Sequence, residues 1–325
     1  MKYFIKCYLC PGDIVMLVYA IKSILRQHPH VKINVNTSCM ELWQGVDLDL
    51  NISENSEDVC VLEAHYETIN KSNEYPYHFI HGFLDYLKEK MALKIDCEPW
   101  HGFLPLSKDE KIYSYVERIT GKKHPYWILN AGYKLDYTAK QWDFSRYQDI
   151  VNAFPELFFI QIGHEDHIHP ELKGKNLINL VGKTNLRQLI SLVYHSFGVI
   201  TGVSFPMLLS YAIEANPVFN RPVRACVVVA GGREPNHWQV PPNSQFLHTC
   251  GQLDCCAKGG CWKSRVVPLG DQSPWGKSDN KDESLCVLPV ALPTGQVIPK
   301  CMDMIGSNEV IMSIKKYMEN LDYYV

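Results

Sequence analysis

Apolar positions in this chain fall into short continuous runs and longer stretches with helical spacing, and the two kinds alternate. Residues 2–9, KYFIKCYL, form a β-branched and aromatic run that predicts a buried first strand. The turn Cys10-Pro11-Gly12-Asp13 leads into 14–27, where Val15, Val18, Ile21, Ile24 and Leu25 repeat at helical spacing before Pro29. VKINVNTS (31–38) predicts a second strand, and VDLDLNIS (46–53) a connection. Strand, helix and strand at this spacing open a parallel βαβ sheet.

Residues 54–120 are less regular. The Tyr- and His-rich stretch 65–91 suits a loop and helix beside an acceptor cleft, or ordinary aromatic packing. Ser107 to Ile119 predicts a helix, with Ser107 and Glu110 spaced as a capping box. Gly121 to Pro125 breaks the pattern and places a domain boundary between 123 and 124. Beyond it, strands are predicted at 126–132, 157–163, 176–182, 198–204 and 224–232. Helices are predicted between them at 145–154, 185–195 and 206–215, with Thr184 opening the second and Ser204 preceding the third. The fold class is therefore α/β, with a second parallel unit following the first.

With 325 residues, of which 46% are hydrophobic, there is material for two cores of ordinary size. No apolar run is long enough to span a bilayer, and Lys6 interrupts the apolar N-terminus, so neither a membrane span nor a signal peptide is expected. The expected compartment is the cytoplasm. A net charge of −3 argues against dominant electrostatic binding to nucleic acid.

The polar residues at the strand ends are the candidate chemistry. Asp13 reads either as a helix cap or as a general base at the tip of the first strand, where open α/β sheets hold ligands. Lys140, Lys183-Thr184, Ser204 and Arg233-Glu234 follow successive strands of the second unit. Helix N-termini with nearby lysine and hydroxyl groups are anion sites, and several on one sheet edge suit a diphosphate. The loop HEDHIHP (164–170) lacks the helical register of a zinc-protease motif and reads as surface.

These segments resemble glycosyltransferase family 9, the lipopolysaccharide heptosyltransferase-like enzymes. The resemblance is carried by Gly12-Asp13, by Lys140-Gln141-Trp142, by Leu180 to Leu186 (LVGKTNL), and by Gly202 to Leu209 (GVSFPMLL), in the family's order. It implies a GT-B fold: two Rossmann-like domains facing across a cleft. The acceptor side would be residues 1–123 and the nucleotide-sugar side 124–325, with a final helix (Asn308 to Leu321) packing back on the first domain. It implies inverting transfer of a heptose or related sugar from a nucleotide-diphosphate donor, without a catalytic metal. Asp13 would be the base, and Lys140, Thr184 and the segment around Ser204 would face the donor; Gly12, Lys183, Arg233 and Glu234, at the same strand ends, complete the candidate donor set on their position alone. One segment departs: the family's Asp-Ser/Thr-Gly-x-x-His is Val203-Ser204-Phe205-Pro206-Met207-Leu208 here, without the acid, the glycine or the histidine.

Six of the 12 cysteines lie between Cys250 and Cys301, forming a Cys-rich loop, 250–301, inserted in the second unit. Cys256 and Cys261 flank a Gly-Gly turn, making a knuckle-like loop. Cys255, Cys256, Cys261, Cys286 and Cys301 are therefore candidate ligands for structural zinc or iron. Some autotransporter-modifying members of the wider family carry a four-cysteine iron finger, similar in idea but not in spacing. Two further readings stay open. One is an inactive GT-B relative acting as a metal-bearing scaffold. The other is a transferase whose acceptor is not a saccharide but a protein or modified nucleic acid, the latter held by Lys258, Lys263 and Arg265. An oligomer is compatible with all of them.

Overall fold

A computed structural model of the chain describes residues 1–65, 76–121, 125–134, 140–257, 259–261 and 286–319. The expected boundary at 123/124 lies outside these residues, as do the basic groups of Lys258, Lys263 and Arg265.

The first sheet is parallel. Strand β1 (Lys2–Cys7) feeds helix α1 (Pro11–Gln27), which returns to β2 (Lys32–Thr37); β3 (Val59–Glu63) adds to the other side, giving the order β2-β1-β3. Pro11 starts α1, where its missing N–H costs no hydrogen bond. Ile14 to Ile21 and Ile24 are all buried, so the helix is covered on most of its circumference. Strand β3 has no sequence signal, because its residues are exposed or half-buried and show no alternation.

Helix α2 (Gly82–Met91) packs on α1. The single helix expected over Ser107 to Ile119 is instead two, α3 (Lys108–Ile112) and α4 (Tyr115–Thr120). Ser107 and Glu110 do form the capping box, but Tyr113 turns extended and Ser114 starts a new cap, accepting from the Glu117 N–H at 3.4 Å. A serine that caps competes with continuing the helix.

The second sheet has six parallel strands. In chain order these are β4 (Tyr126–Asn130), helix α5 (Phe144–Ala153), β5 (Phe158–Gln161), β6 (Leu177–Asn179), helix α6 (Leu186–His195), β7 (Gly198–Gly202), helix α7 (Phe205–Ala212), β8 (Ala225–Gly231) and β9 (Gln245–His248). The spatial order is β6-β5-β4-β7-β8-β9. All seven residues of β8 are buried, as a sheet covered on both faces requires. A hairpin of β10 (Pro289–Ala291) and β11 (Val297–Pro299) follows, then helices α8 (Lys300–Asp303) and α9 (Ser307–Glu319).

Helix α9 corrects one expectation. Its described residues lie against α5, β8 and β9, not against the first sheet. Val310, Ile314 and Tyr317 join a core cluster with Trp127, Ile150 and Val227, and the Tyr317 hydroxyl donates to the Cys226 and Asn243 carbonyls at 3.1 and 2.7 Å. Its apolar face matches that side of the second sheet.

The other core cluster runs without a break from β1 and α1 through Leu42, Phe103, Met207, Leu208 and Tyr211 into β7 and β8. Polar links reinforce the seam. The Gly102 and Leu104 N–H groups donate to the Tyr211 and Ala212 carbonyls, each at 2.8 Å. Arg187 grips Glu110 with two bonds of 2.7 and 2.6 Å, and Phe79 stacks on Trp238 at 4.9 Å between centroids. Among the described residues no helix is long and apolar enough to cross a membrane.

Candidate active site

In both sheets the winding reverses at the first strand: β1 lies between β2 and β3, and β4 between β5 and β7. Such reversals open a crevice beyond the carboxyl ends of the strands. Asp13 follows β1; Asn130 and Lys140 follow or end β4; Ser204 follows β7; Arg233 and Glu234 follow β8.

Asp13 is not the cap of α1 but its third residue. Cys10 occupies the cap position, and its backbone N–H donates to Asp13 Oδ2 at 3.1 Å. The bond fixes the carboxylate at the positive end of the helix, where it is half-buried. Its neighbour Gly12 lies against α7: a Cβ there would stand 2.7 Å from Leu208 Cδ1. The N-termini of α1 and α7, one from each sheet, thus abut.

Lys140 is the hub on the second sheet. Its Nζ lies 2.7 Å from Glu234 Oε1 and donates to the Val203 carbonyl at 3.3 Å. Glu234 also accepts from Arg233 at 2.7 Å and from Gln239 at 2.8 Å. Arg233 and Glu234 are 1% and 6% exposed, whereas 26% of the Lys140 side chain reaches solvent, so the lysine is the member of this chain that a ligand can touch. Burial works against the Glu234 carboxylate, but Lys140 and Arg233 outweigh it and hold its pKa below the usual range. Burial and, less so, Arg233 push the Lys140 pKa down, while Glu234 and, more weakly, Asp13 favour the ammonium form. Asp13 therefore sits within the electrostatic reach of Lys140 across the seam.

Ser204 does not cap α7 with its side chain. Its hydroxyl is 2.9 Å from Thr201 Oγ1 and accepts from Asn130 Nδ2 at 3.1 Å, tying the tips of β4 and β7 together. The helix expected to open at Thr184 is capped by Asn185, in a box with Gln188. Lys183 is exposed and bends back to the Asn179 carbonyl at 3.1 Å, so it stands apart from the Lys140 chain. Asn130, Thr201 and Gln239 escaped the sequence reading; for Asn130 the signal was a polar residue at the end of an apolar strand.

Described residues of the cysteine-rich stretch reach this region: the Cys261 N–H donates to the Gly232 carbonyl at 3.1 Å, and the Cys250 thiol to the Glu234 carbonyl at 3.0 Å. Cys255, Cys261, Cys286 and Cys301 line one small cavity of about 20 Å³, walled otherwise by Leu253, Val287, Leu288, Pro299, Gly232 and the Lys300 stem. Cys256, expected among the ligands, is absent from that lining; its sulfur donates to the Thr249 carbonyl at 3.5 Å. Gly259 and Gly260 have φ of +99° and +127°, the left-handed turn that makes the knuckle. Four thiols from three chain segments suit a soft ion in kind and number. No group of three or more His, Cys, Asp or Glu side chains is arranged to hold a metal among the described residues. Burial pushes the Cys261 and Cys301 thiols up to about 12 and about 11.

Neither a family model nor a curated protein matches the sequence. Solved structures do match in shape. A family 9 glycosyl transferase from Veillonella parvula shares 11% identity at a TM-score of 0.65, covering 98% of this chain and 97% of its own. The ADP-heptose lipopolysaccharide heptosyltransferase II of Escherichia coli shares 13% at 0.54, covering 99% and 100%. TibC, a dodecameric iron-containing heptosyltransferase solved with ADP-D-beta-D-heptose, shares 14% at 0.62, covering 98% of this chain and 77% of its own. The parallel sheets, their switch points and these likenesses give one conclusion: the chain has the fold of the family 9 glycosyltransferases and ADP-heptose heptosyltransferases.

Proposed function

We propose that the protein transfers a sugar, a heptose or a relative, from a nucleoside-diphosphate donor to an acceptor hydroxyl with inversion. The two sheets act as facing lobes. The donor diphosphate lies at the tips of β4, β7 and β8, against Lys140. The acceptor enters from the first sheet, and Asp13 takes the hydroxyl proton as its oxygen attacks the anomeric carbon from the face opposite the diphosphate. The carbon–phosphate-oxygen bond breaks as the new bond forms, and the charge left on the diphosphate falls on Lys140 and the α7 N-terminus. What carries this reading is the meeting of the two switch points, with Asp13 in the field of Lys140 across the abutting ends of α1 and α7. The capping bond from Cys10 to Asp13 Oδ2 is compatible with a base, since it holds the carboxylate in one orientation.

Asp13→Asn tests the mechanism. It leaves ADP binding intact and lowers release of nucleoside diphosphate from a reactive nucleotide sugar by about 10²–10⁴-fold, the usual contribution of a positioned base. Unchanged turnover would remove Asp13 from the chemistry.

A second reading is favoured by one observation. Leu208 packs on Gly12 and Ser204 is committed to Thr201 and Asn130, so the altered segment 203–208 offers the donor neither a histidine nor an uncommitted serine hydroxyl. An inactive relative that still binds nucleotides would show thermal stabilisation by nucleotide sugars without diphosphate release from any of them.

The four thiols lining the cavity, Cys255, Cys261, Cys286 and Cys301, are proposed as ligands of a structural zinc or iron ion, with Cys256 outside the set. The ion would cross-link the insertion and take no part in the transfer.

A further inference from the structure

One thiol outside the donor region has a base beside it. Cys97 is exposed, and its Sγ lies 3.8 Å from Nδ1 of His81, the half-buried residue that precedes α2. Both sides of this contact are fixed. The residues flanking Cys97 are tied to the end of α1: Gln27 exchanges two bonds with the Asp96 backbone, at 2.8 and 3.0 Å, and the Glu98 carboxylate accepts from Arg26 at 2.7 Å and from Gln27 at 2.8 Å. The Tyr19 hydroxyl adds a bond of 2.9 Å to the Glu98 carbonyl. His81 closes a 3-10 turn, Phe79–His81, in which Phe79 and Ile80 are buried. The neighbouring His78 is no alternative base. Its Nδ1 accepts from the Ile80 N–H at 3.0 Å, its Nε2 faces the Val240 carbonyl at 3.2 Å, and burial pushes its pKa down to about 3.

We propose that Cys97 is a reactive thiol that exchanges with small disulfides of the glutathione type, with His81 carrying its proton. The site lies outside the donor reading and does not depend on it. Disulfide exchange needs a nucleophilic sulfur, a proton acceptor and access, with no oxyanion to stabilise, and these three are what the contact supplies. The Cys97 sulfur attacks one sulfur of the disulfide while its proton passes to His81 Nδ1. The new sulfur–sulfur bond forms as the old one breaks, and the electron pair goes to the leaving sulfur, which takes the proton back from His81. Cys97 is oxidised to a mixed disulfide, and the other half of the reagent leaves reduced, as a free thiol. The groups facing His81 are Asp85 and Lys88 from α2, the Tyr77 and His78 rings at 6.2 and 6.5 Å, and Cys97. Asp85 is itself held by the Tyr77 hydroxyl at 2.5 Å and by Lys88 at 3.6 Å. Burial lowers the His81 pKa from the ordinary 6.5; Asp85 opposes this and Lys88 adds to it, so at neutral pH the imidazole is in the form that accepts a proton.

To test this, full-length protein is treated with oxidised glutathione, and the mixed disulfide at each exposed cysteine is followed in time by peptide mass spectrometry. Cys60, exposed on the edge strand β3 and without a hydrogen-bonded imidazole among the described residues, is the internal comparison. At neutral pH Cys97 reacts faster than Cys60 by about tenfold or more, a modest effect for a placed base. His81→Gln keeps a polar side chain that cannot take the proton, and it brings the two rates to within about twofold of each other. In wild type the excess at Cys97 is also lost in acid, as pH falls below 6.5 and through the lowered pKa of His81, because an imidazolium has no site left for the thiol proton.

Equal rates at Cys97 and Cys60 in the wild-type protein overturn the proposal. An excess at Cys97 that survives both His81→Gln and acid reports access alone and overturns it equally. The wild-type pH series separates base from access even if His81→Gln fails to fold.

Discussion

Replacing Lys140 by methionine keeps the length and apolar stem of the side chain and removes its ammonium. In the ligand-free protein Glu234 then loses a partner at 2.7 Å but keeps Arg233 at 2.7 Å and Gln239 at 2.8 Å. Breaking a fully buried pair costs about 3–5 kcal/mol because a charge is left uncompensated. Here one cation remains and the lysine is partly wet, so a loss of about 1–2 kcal/mol is expected. A bound diphosphate has no such substitute. Losing one charge-assisted hydrogen bond to phosphate costs about 1.5–3 kcal/mol, or about ten- to 150-fold in affinity. Calorimetric titration with ADP, alongside urea unfolding of the same preparation, separates the two effects. If folded Lys140→Met protein binds ADP as tightly as wild type, the diphosphate does not lie on Lys140, and the placement of the donor at the tips of β4, β7 and β8 is wrong.

The same lysine sets a pH limit. Burial lowers its pKa from the ordinary 10.5, so ADP affinity falls on raising the pH while surface lysines are still charged; Lys140→Met shows no such fall. At the seam, burial opposes the Glu110 carboxylate, but the bonds from Arg187 and Ser107 outweigh it and hold its pKa below 4.5 in the folded state. Its contribution is thus fully present above the unfolded value and is lost as pH falls through the lower folded one. Glu110→Gln costs about 1–3 kcal/mol at neutral pH, and urea unfolding shows the gap from wild type closing in acid. A gap that stays constant down to the acid limit refutes that account.

Much of this arrangement was legible in the chain itself, for physical reasons that vary from residue to residue. The first βαβ unit announces itself because β1 and α1 are buried through most of their length, leaving little room for polar residues. Strand β3 is silent because it is an edge, with Val61 41% exposed. The strand tips could be located, but not the bonds made there: nothing local to Lys140 indicates that its partner is Glu234, far along the chain beyond the end of another strand. Ser204 reads in the sequence only as the residue before a helix; that it ties two strands is decided by Asn130 and Thr201. The cysteine cluster was visible as a cluster. Which sulfurs share a cavity was not, because adjacent Cys255 and Cys256 on one 3-10 turn present their side chains to different surroundings. Family likeness suggested where the last helix goes, and the match of Ile314 and Tyr317 to Trp127 and Val227 decided otherwise.

The unbroken apolar cluster from α1 into β7 and β8 has a consequence for how such a chain diversifies. Exchanging the front half for that of a distant cousin, to acquire a new acceptor, would strip Met207, Leu208 and Tyr211 of the surfaces they fit. Interdigitated side chains tolerate little change in volume. Acceptor preference can drift cheaply only in loops away from this shared packing, whereas wholesale recombination at the midpoint demands simultaneous repair on both sides of the join.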